Sequence, residues 1–226
     1  EELFKALFHI QHRGQQSSGF NVFSSSTKKN LKTKEFGLVD IHLKDLESFH
    51  GNMGVGHVRY PTNGSNSRNE IQPFSIAKPY GISLVHNGNI TNAAYLKDFL
   101  QEKCVYPKGT SDSELLLHLF YYYIEKNIQH LSHEAIFDAV QHLYNLCSGS
   151  FCVIIMIHDY GMVCFRDKFG IRPLVYCENG ENLTIASETV SLPSNQEYKN
   201  VANGEVLIFT KNMQKYSDRT HFAPLR

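Results

Sequence analysis

Between Thr91 and Leu146 the apolar residues of this chain recur three times at the spacing of one helix face, and on both sides of that block they recur at the spacing of β-strands. Thr91–Gln101 carries Ala94, Leu96, Phe99 and Leu100. Ser111–Lys126 opens on Ser111 and Glu114, the spacing of a capping box in which serine reaches forward and glutamate back. His133–Leu146 sets Ile136, Phe137, Val140, Leu143 and Tyr144 on one stripe. Before the block, Gly19–Ser24, Met53–Tyr60 and Ile82–His86 are strand-like, and after it so are Phe151–Ile157, Gly161–Phe165, Leu174–Cys177, Leu183–Ala186 and Val206–Thr210. Each apolar face needs a partner, so helices massed between two groups of strands predict packed sheets covered by helical layers, an α+β fold. Glu1–His12 has helical periodicity through Leu3, Phe4, Leu7 and Phe8, whereas the Ser/Lys-rich Ser24–Lys34 has none and is predicted to be a loop. With 226 residues, 42% of them hydrophobic, the expectation is one compact domain over 1–226.

Charge and cysteine usage narrow the function. Lysine plus arginine total 22 and aspartate plus glutamate total 22, which gives no basic footprint for nucleic acid or an anionic membrane surface. The apolar runs Leu115–Ile124 and Phe151–Ile157 are far shorter than the roughly 20 residues needed to span a bilayer. Cys104, Cys147, Cys152, Cys164 and Cys177 are odd in number and lack CxxC spacing, which argues against a disulfide framework and a zinc site and fits a reducing, cytoplasmic compartment. Among the 12 histidines, pairs such as His9 with His12 lack carboxylate or cysteine neighbours at ligand spacing, so no metal is expected.

Five segments, four of them containing glycine, set polar residues at the end of an apolar element: QHRGQQSSG (Gln11–Gly19), GHVRYPT (Gly56–Thr62), HNGN (His86–Asn89), SDSE (Ser111–Glu114) and FRDKFGIRPL (Phe165–Leu174). Asn87-Gly88 reads either as a hairpin turn or as a side-chain amide and a main-chain N–H aimed at one developing oxyanion. Asp112 reads either as a carboxylate at a helix start or as the partner of a ligand ammonium. Arg59 is either an ion-paired strand residue or a fork for a carboxylate. A cation, an anion and two oxyanion donors together suit an α-amino acid whose side-chain carbonyl is attacked.

These segments, with GNMGVGHVRYPTNGS, QPFSI, PYGISLVHNGNITNA, TSDSELLL and ASE, resemble in order and spacing the successive motifs of the amidotransferase domain of the amidophosphoribosyltransferases, within the class II glutamine amidotransferases. The resemblance runs from Gln11 to about Glu188. It implies the N-terminal nucleophile (Ntn) hydrolase fold, a four-layer αββα sandwich, here lacking its first strand. It implies that Arg59 holds the glutamine α-carboxylate and Asp112 the α-amino group. Asn87 and Gly88 form the oxyanion hole, Arg13 and Gly14 lie beside the nucleophile, and Tyr60 and Thr62 line the pocket. The nucleophile of the family is a cysteine made N-terminal by processing, whose own α-amino group is the base; it attacks the side-chain amide, ammonia leaves, and water releases glutamate. Ammonia then reaches a phosphoribosyltransferase domain and displaces pyrophosphate from 5-phosphoribosyl diphosphate, giving 5-phosphoribosylamine for purine synthesis. No cofactor is implied in this domain; Mg2+ belongs to the transferase domain, and the sequence is similar to members without an iron–sulfur cluster. The partners implied are glutamine, that second domain and further copies in a homo-oligomer.

Two departures carry consequences. None of the five cysteines is N-terminal, and the family's cysteine-bearing strand would stand a dozen or more residues before Glu1. The chain is therefore expected to be a fragment of a larger enzyme, inactive alone, the alternative being a non-catalytic glutamine-binding or regulatory module. Lys168, Phe169 and Asn63 depart from the family pattern without touching the proposed ligand residues.

Overall fold

Alternation along Phe151–Ile157 sets the layers: Phe151, Val153, Ile155 and Ile157 enter a core shared with helices, while Cys152, Ile154 and Met156 face the opposite side. The computed structural model describes residues 1–60, 67–126 and 131–219. The chain runs α1 (Glu2–His9), β1 (Ser17–Ser24), β2 (Lys29–Phe36), β3 (Met53–Arg59), β4 (Phe74–Ile76), β5 (Ile82–Ile90), α2 (Ala93–Glu102), α3 (Asp112–Glu125) and α4 (His133–Leu146). It continues through β6 (Gly149–Ile157), β7 (Gly161–Arg166), β8 (Val175–Asn179), β9 (Asn182–Ala186), β10 (Lys199–Asn200), β11 (Glu205–Thr210) and β12 (Lys215–Arg219). Single 3-10 turns occupy Gln11–Arg13, Arg68–Glu70 and Thr189–Ser191, and a longer 3-10 stretch spans Val39–Ser48.

A six-stranded antiparallel sheet, ordered β12-β11-β7-β6-β5-β4, forms the middle of the molecule. Helices α2, α3 and α4 cover one face, packing Leu96, Leu100, Leu116, Leu119, Phe120, Ile136 and Leu143 on Leu84, Val153, Ile155 and Phe165. Each such side chain contributes about 1.5–3 kcal/mol by leaving water. Ser132 caps α4, its hydroxyl accepting from the Ala135 N–H at 3.3 Å.

The other face carries two three-stranded sheets, β2-β1-β3 and β10-β8-β9. Phe23 and Val55 of the first pack on Val85 and Met156, Tyr176 of the second packs with Cys152 and Cys164, and Ile154 touches both clusters. Helix α1 lies on the outer side of the first small sheet, where Gly56 makes room: a Cβ there would stand 2.5 Å from Leu7 Cδ1. The chain leaving β9 returns to the neighbourhood of β3, because Glu188 binds His12 and Arg13 and Ser191 donates to the Ala6 carbonyl at 2.8 Å.

Two sequence expectations change, and one open alternative closes. Ser24–Lys34 is no loop: Lys29–Phe36 is β2, paired with β1 residue for residue after a turn in which Lys28 takes φ 54°. β2 buries neither face fully, so the alternation that marks a strand was never written into it. Asn87-Gly88 is not a turn either, since β5 runs through it and pairs Asn87 with Cys152 and Gly88 with Phe151. Finally, the first helix ends at His9, and Gln11–Arg13 is a separate 3-10 turn.

Candidate functional site

Strand parity brings two of the predicted ligand residues, Arg59 and Asn87, to the space between the sheets. On β3, Val55 points at the six-stranded sheet, so His57 and Arg59 do too. On β5, Val85 and Ser83 point back toward β1 and β3, Ser83 Oγ accepting from Asn21 Nδ2 at 2.6 Å, and the same parity aims Asn87 into that space. Gly14 lies directly on the Arg59 main chain: an added Cβ would come within 2.7 Å of the Arg59 nitrogen and oxygen. Buried polar atoms without hydrogen-bond partners among the described residues gather here, namely Arg59 Nη1, Ser17 Oγ and Asn21 Oδ1. A buried guanidinium nitrogen left without an acceptor is costly, and a carboxylate is the group that would relieve it.

Asp112 does not cap its own helix in the expected way. The capping box is replaced: Ser111 makes no side-chain cap bond, and the Glu114 carboxylate passes it to accept from the Lys108 N–H at 3.2 Å and the Gly109 N–H at 2.6 Å. Asp112 turns to β5 instead, with Oδ2 accepting from the Ile90 N–H at 3.0 Å and Oδ1 3.6 Å from His86 Nδ1. Burial pushes this carboxyl up, but the His86 ring and the Ile90 and Ser113 N–H groups outweigh it and hold the acid below its ordinary 3.8. A depressed folded value means that the stabilisation is complete above 3.8 and is lost as pH falls through the lower folded value. Asp112→Asn is expected to flatten the acid limb of melting temperature against pH below 3.8, measured by calorimetry; an unchanged limb would count against this contact.

His86 connects these parts. Its ring lies on Ser113 Oγ (3.0 Å), and its other edge borders Gly88, where an added Cβ would stand 2.8 Å from His86 Nε2. His57 hydrogen-bonds the His86 main chain; burial, then the charges of His86 and Arg59, push its pKa down to about 3, so it is neutral at pH 7.

Arg13 is not free to meet a ligand with its whole fork, because Nη1 is ion-paired with Glu188 Oε1 while Glu188 Oε2 lies 2.8 Å from His12 Nε2. Tyr60 is 69% exposed and borders an open cleft of about 490 Å³ with His12, Gln15 and Gln16. Thr62 lies outside the described residues. Two polar residues of FRDKFGIRPL are used in holding their loop to its neighbours: Asp167 accepts from the Phe151, Phe169 and Gly170 N–H groups at 2.8–3.0 Å, and Arg166 donates to the Val201 carbonyl at 2.8 Å. Sequence reasoning did not single out Gln72 or give Glu188 a role. The signal available for both was only that QPFSI and ASE belong to the motif series.

Cys152 sits across the ladder from Asn87, yet burial pushes its thiol up to about 12 although Arg166 and Arg13 pull it down. Burial also takes Cys147 to about 12 and raises Cys164 and Cys177, while Cys104 is exposed. Iodoacetamide at pH 8 is therefore expected to alkylate Cys104 at least about tenfold faster than the other four, read by peptide mass spectrometry. Labelling of Cys152 at the rate of Cys104 would contradict the buried placement.

Among the described residues no helix is long and apolar enough to cross a membrane. Residues 57–194 match the family model described as a glutamine amidotransferase domain. The amidophosphoribosyltransferase of Escherichia coli K12 is 40% identical over 96% of this chain and 45% of its own length, and that of Saccharomyces cerevisiae is 35% identical over 95% and 44%. The solved glutamine phosphoribosylpyrophosphate amidotransferase of B. subtilis, complexed with ADP and GMP, superposes with a TM-score of 0.80 at 27% identity over 96% of this chain and 46% of that one. The chain thus spans a little under half the length of these relatives. The α+β layers match that glutaminase domain, an Ntn-like fold, and the chain belongs to the glutamine amidotransferase domain family, class II, homologous to the N-terminal region of the amidophosphoribosyltransferases.

Proposed function

We propose that this chain is the glutamine-hydrolysing part of an amidophosphoribosyltransferase, and that Arg59, Asp112, Asn87 and Gly88 recognise glutamine and stabilise its tetrahedral intermediate. The observation that carries the reading is Arg59 Nη1, buried and without a hydrogen-bond partner among the described residues, on the face that looks toward Asn87. On this reading the α-carboxylate meets Arg59 and the α-ammonium meets Asp112, whose depressed pKa keeps it charged at neutral pH. The Asn87 amide and the Gly88 N–H then receive the oxyanion.

The nucleophile is a cysteine thiolate on a further strand seated between the edges of β3 and β9, which completes the four-layer αββα sandwich. The thiolate adds to the amide carbon, a proton from the cysteine's α-ammonium goes to the leaving nitrogen, and ammonia departs. Water then cleaves the γ-glutamyl thioester to glutamate and regenerates the thiol. In a second domain, ammonia displaces pyrophosphate from 5-phosphoribosyl diphosphate to give 5-phosphoribosylamine. The two unpaired edges and the polar atoms left open between the sheets support this reading.

The full-length gene product, supplied with L-glutamine and 5-phosphoribosyl diphosphate, is expected to release glutamate in step with pyrophosphate, both measured enzymatically. Because amidotransferase sites close on their second substrate, both substrates are included. No glutamate release would remove the reading. A second reading, a glutamine-binding module without chemistry, is favoured by one observation: the five cysteines are internal, and burial raises four of their thiols. Glutamine binding without glutamate release by the full-length product selects it.

A further inference from the structure

Gln72 lies just before β4, where two residues back along β4 and two forward along the antiparallel β5 from the Phe74 and Leu84 pair bring it beside His86. Pro73 interrupts the main-chain ladder at this point, having no N–H to give. The Gln72 side chain takes over: its Oε1 accepts from the His86 N–H at 2.7 Å, and its Nε2 donates to the His86 carbonyl at 3.0 Å and to Ser113 Oγ at 3.1 Å. Gln72, His86 and Ser113 are 7%, 4% and 1% exposed, so water does not compete for these bonds. The same Ser113 hydroxyl meets His86 Nδ1, and the ring stands between Asp112 on one edge and Gly88 on the other. One carboxamide thus joins the strand bearing Asn87 and Gly88 to the helix start bearing Asp112.

We infer that Gln72 is a positioning residue that fixes Asp112 relative to Asn87 and Gly88, and so sets how strongly the site distinguishes an α-amino acid from the same molecule without its amino group. The inference rests on the glutamine-site reading above. Gln72 touches no substrate in it. It acts by holding the His86 main chain and the Ser113 hydroxyl, so that the Asp112 carboxylate stays at ammonium distance from a ligand whose side-chain carbonyl lies at Gly88.

The test uses L-glutamate and glutarate, which differ only in the α-ammonium and are not turned over, titrated into the full-length gene product by calorimetry. The parent is expected to prefer glutamate by about tenfold or more, the scale of one charge-assisted contact. Gln72→Met is expected to cut that preference at least about fivefold, Asp112→Asn to abolish it, and the double variant to match Asp112→Asn, because residues acting through one contact are not additive. A Gln72→Met protein that melts lower but keeps the parent preference would overturn the inference, since a purely structural residue changes stability and not the ratio. Should Gln72→Met not fold, Ser113→Ala removes the hydroxyl shared by Gln72 and His86 and is judged by the same ratio. A parent that binds neither ligand overturns the glutamine-site reading itself, an outcome distinct from binding with an unaltered ratio.

Discussion

Arg59→Ala is expected to weaken glutamine binding by about a hundredfold or more while leaving the fold intact. Truncating one member of a buried, hydrogen-bonded charge pair costs about 2–5 kcal/mol, and a hundredfold corresponds to about 2.7 kcal/mol. The effect on the unliganded protein has the opposite sign. Arg59 Nη1 is buried with no hydrogen-bond partner among the described residues, so removing the guanidinium deletes an unsatisfied group instead of a contact. The melting temperature should therefore hold or rise, a separation that ordinary destabilisation cannot produce. Arg59→Lys should recover little affinity, because an ammonium cannot present the planar fork that a carboxylate fits. Calorimetric affinities for glutamine within threefold of the parent in Arg59→Ala would end the assignment.

Gly88→Ala is expected to lower the rate of glutamine hydrolysis in the full-length protein by about 10²–10³, the range found when one oxyanion donor is lost. An added Cβ would press into the Ser150 carbonyl across the β5 and β6 ladder and lie 2.8 Å from both His86 Nε2 and the Phe151 Cα. Two of these three neighbours are main chain. Strand β5 must therefore move, and the Gly88 N–H moves with it. Overpacking of this kind costs about 1–3 kcal/mol, so the variant should also melt lower. Its KM should change less than its kcat, since Arg59 and Asp112 still hold the two ends of the amino acid. A Gly88→Ala enzyme with the parent's kcat would show that this N–H is not a donor in the reaction.

How much of this was legible beforehand depended on what kind of signal each residue leaves. The helices and the buried strands declare themselves by periodicity, and α4 was read at the bounds the structure gives it, His133–Leu146. Strand β2 left no such trace, because an edge strand with exposed lysines carries no apolar alternation. Asn87-Gly88 left two readings open for a related cause: a dipeptide suited to a turn is equally suited to a strand that must bring bare backbone against its neighbour. Arg59 and Asp112 could be proposed from residue type and motif order, but the partners that orient Asp112 lie 26 and 40 positions away in the chain, at His86 and Gln72. Nothing local in QPFSI announces that its glutamine side chain substitutes for a missing ladder bond. Likewise the grip of Glu188 on Arg13 spans 175 residues and exists only once the chain after β9 has folded back onto the turn before β1.

The lysines of β2 have a consequence beyond their own strand. Lys29 and Lys32 stand exposed along one border of the first small sheet, the usual means by which a sheet repels a stray chain. The opposite border, the MGVGHVR sequence of β3, carries no lysine and offers glycine and valine backbone suited to close pairing. The sheet is thus polarised, guarded on one side and receptive on the other. Wherever β3 is left bare, self-association should proceed through that side alone, as head-to-head pairs of β3 that stop at two copies because the guarded border cannot extend them.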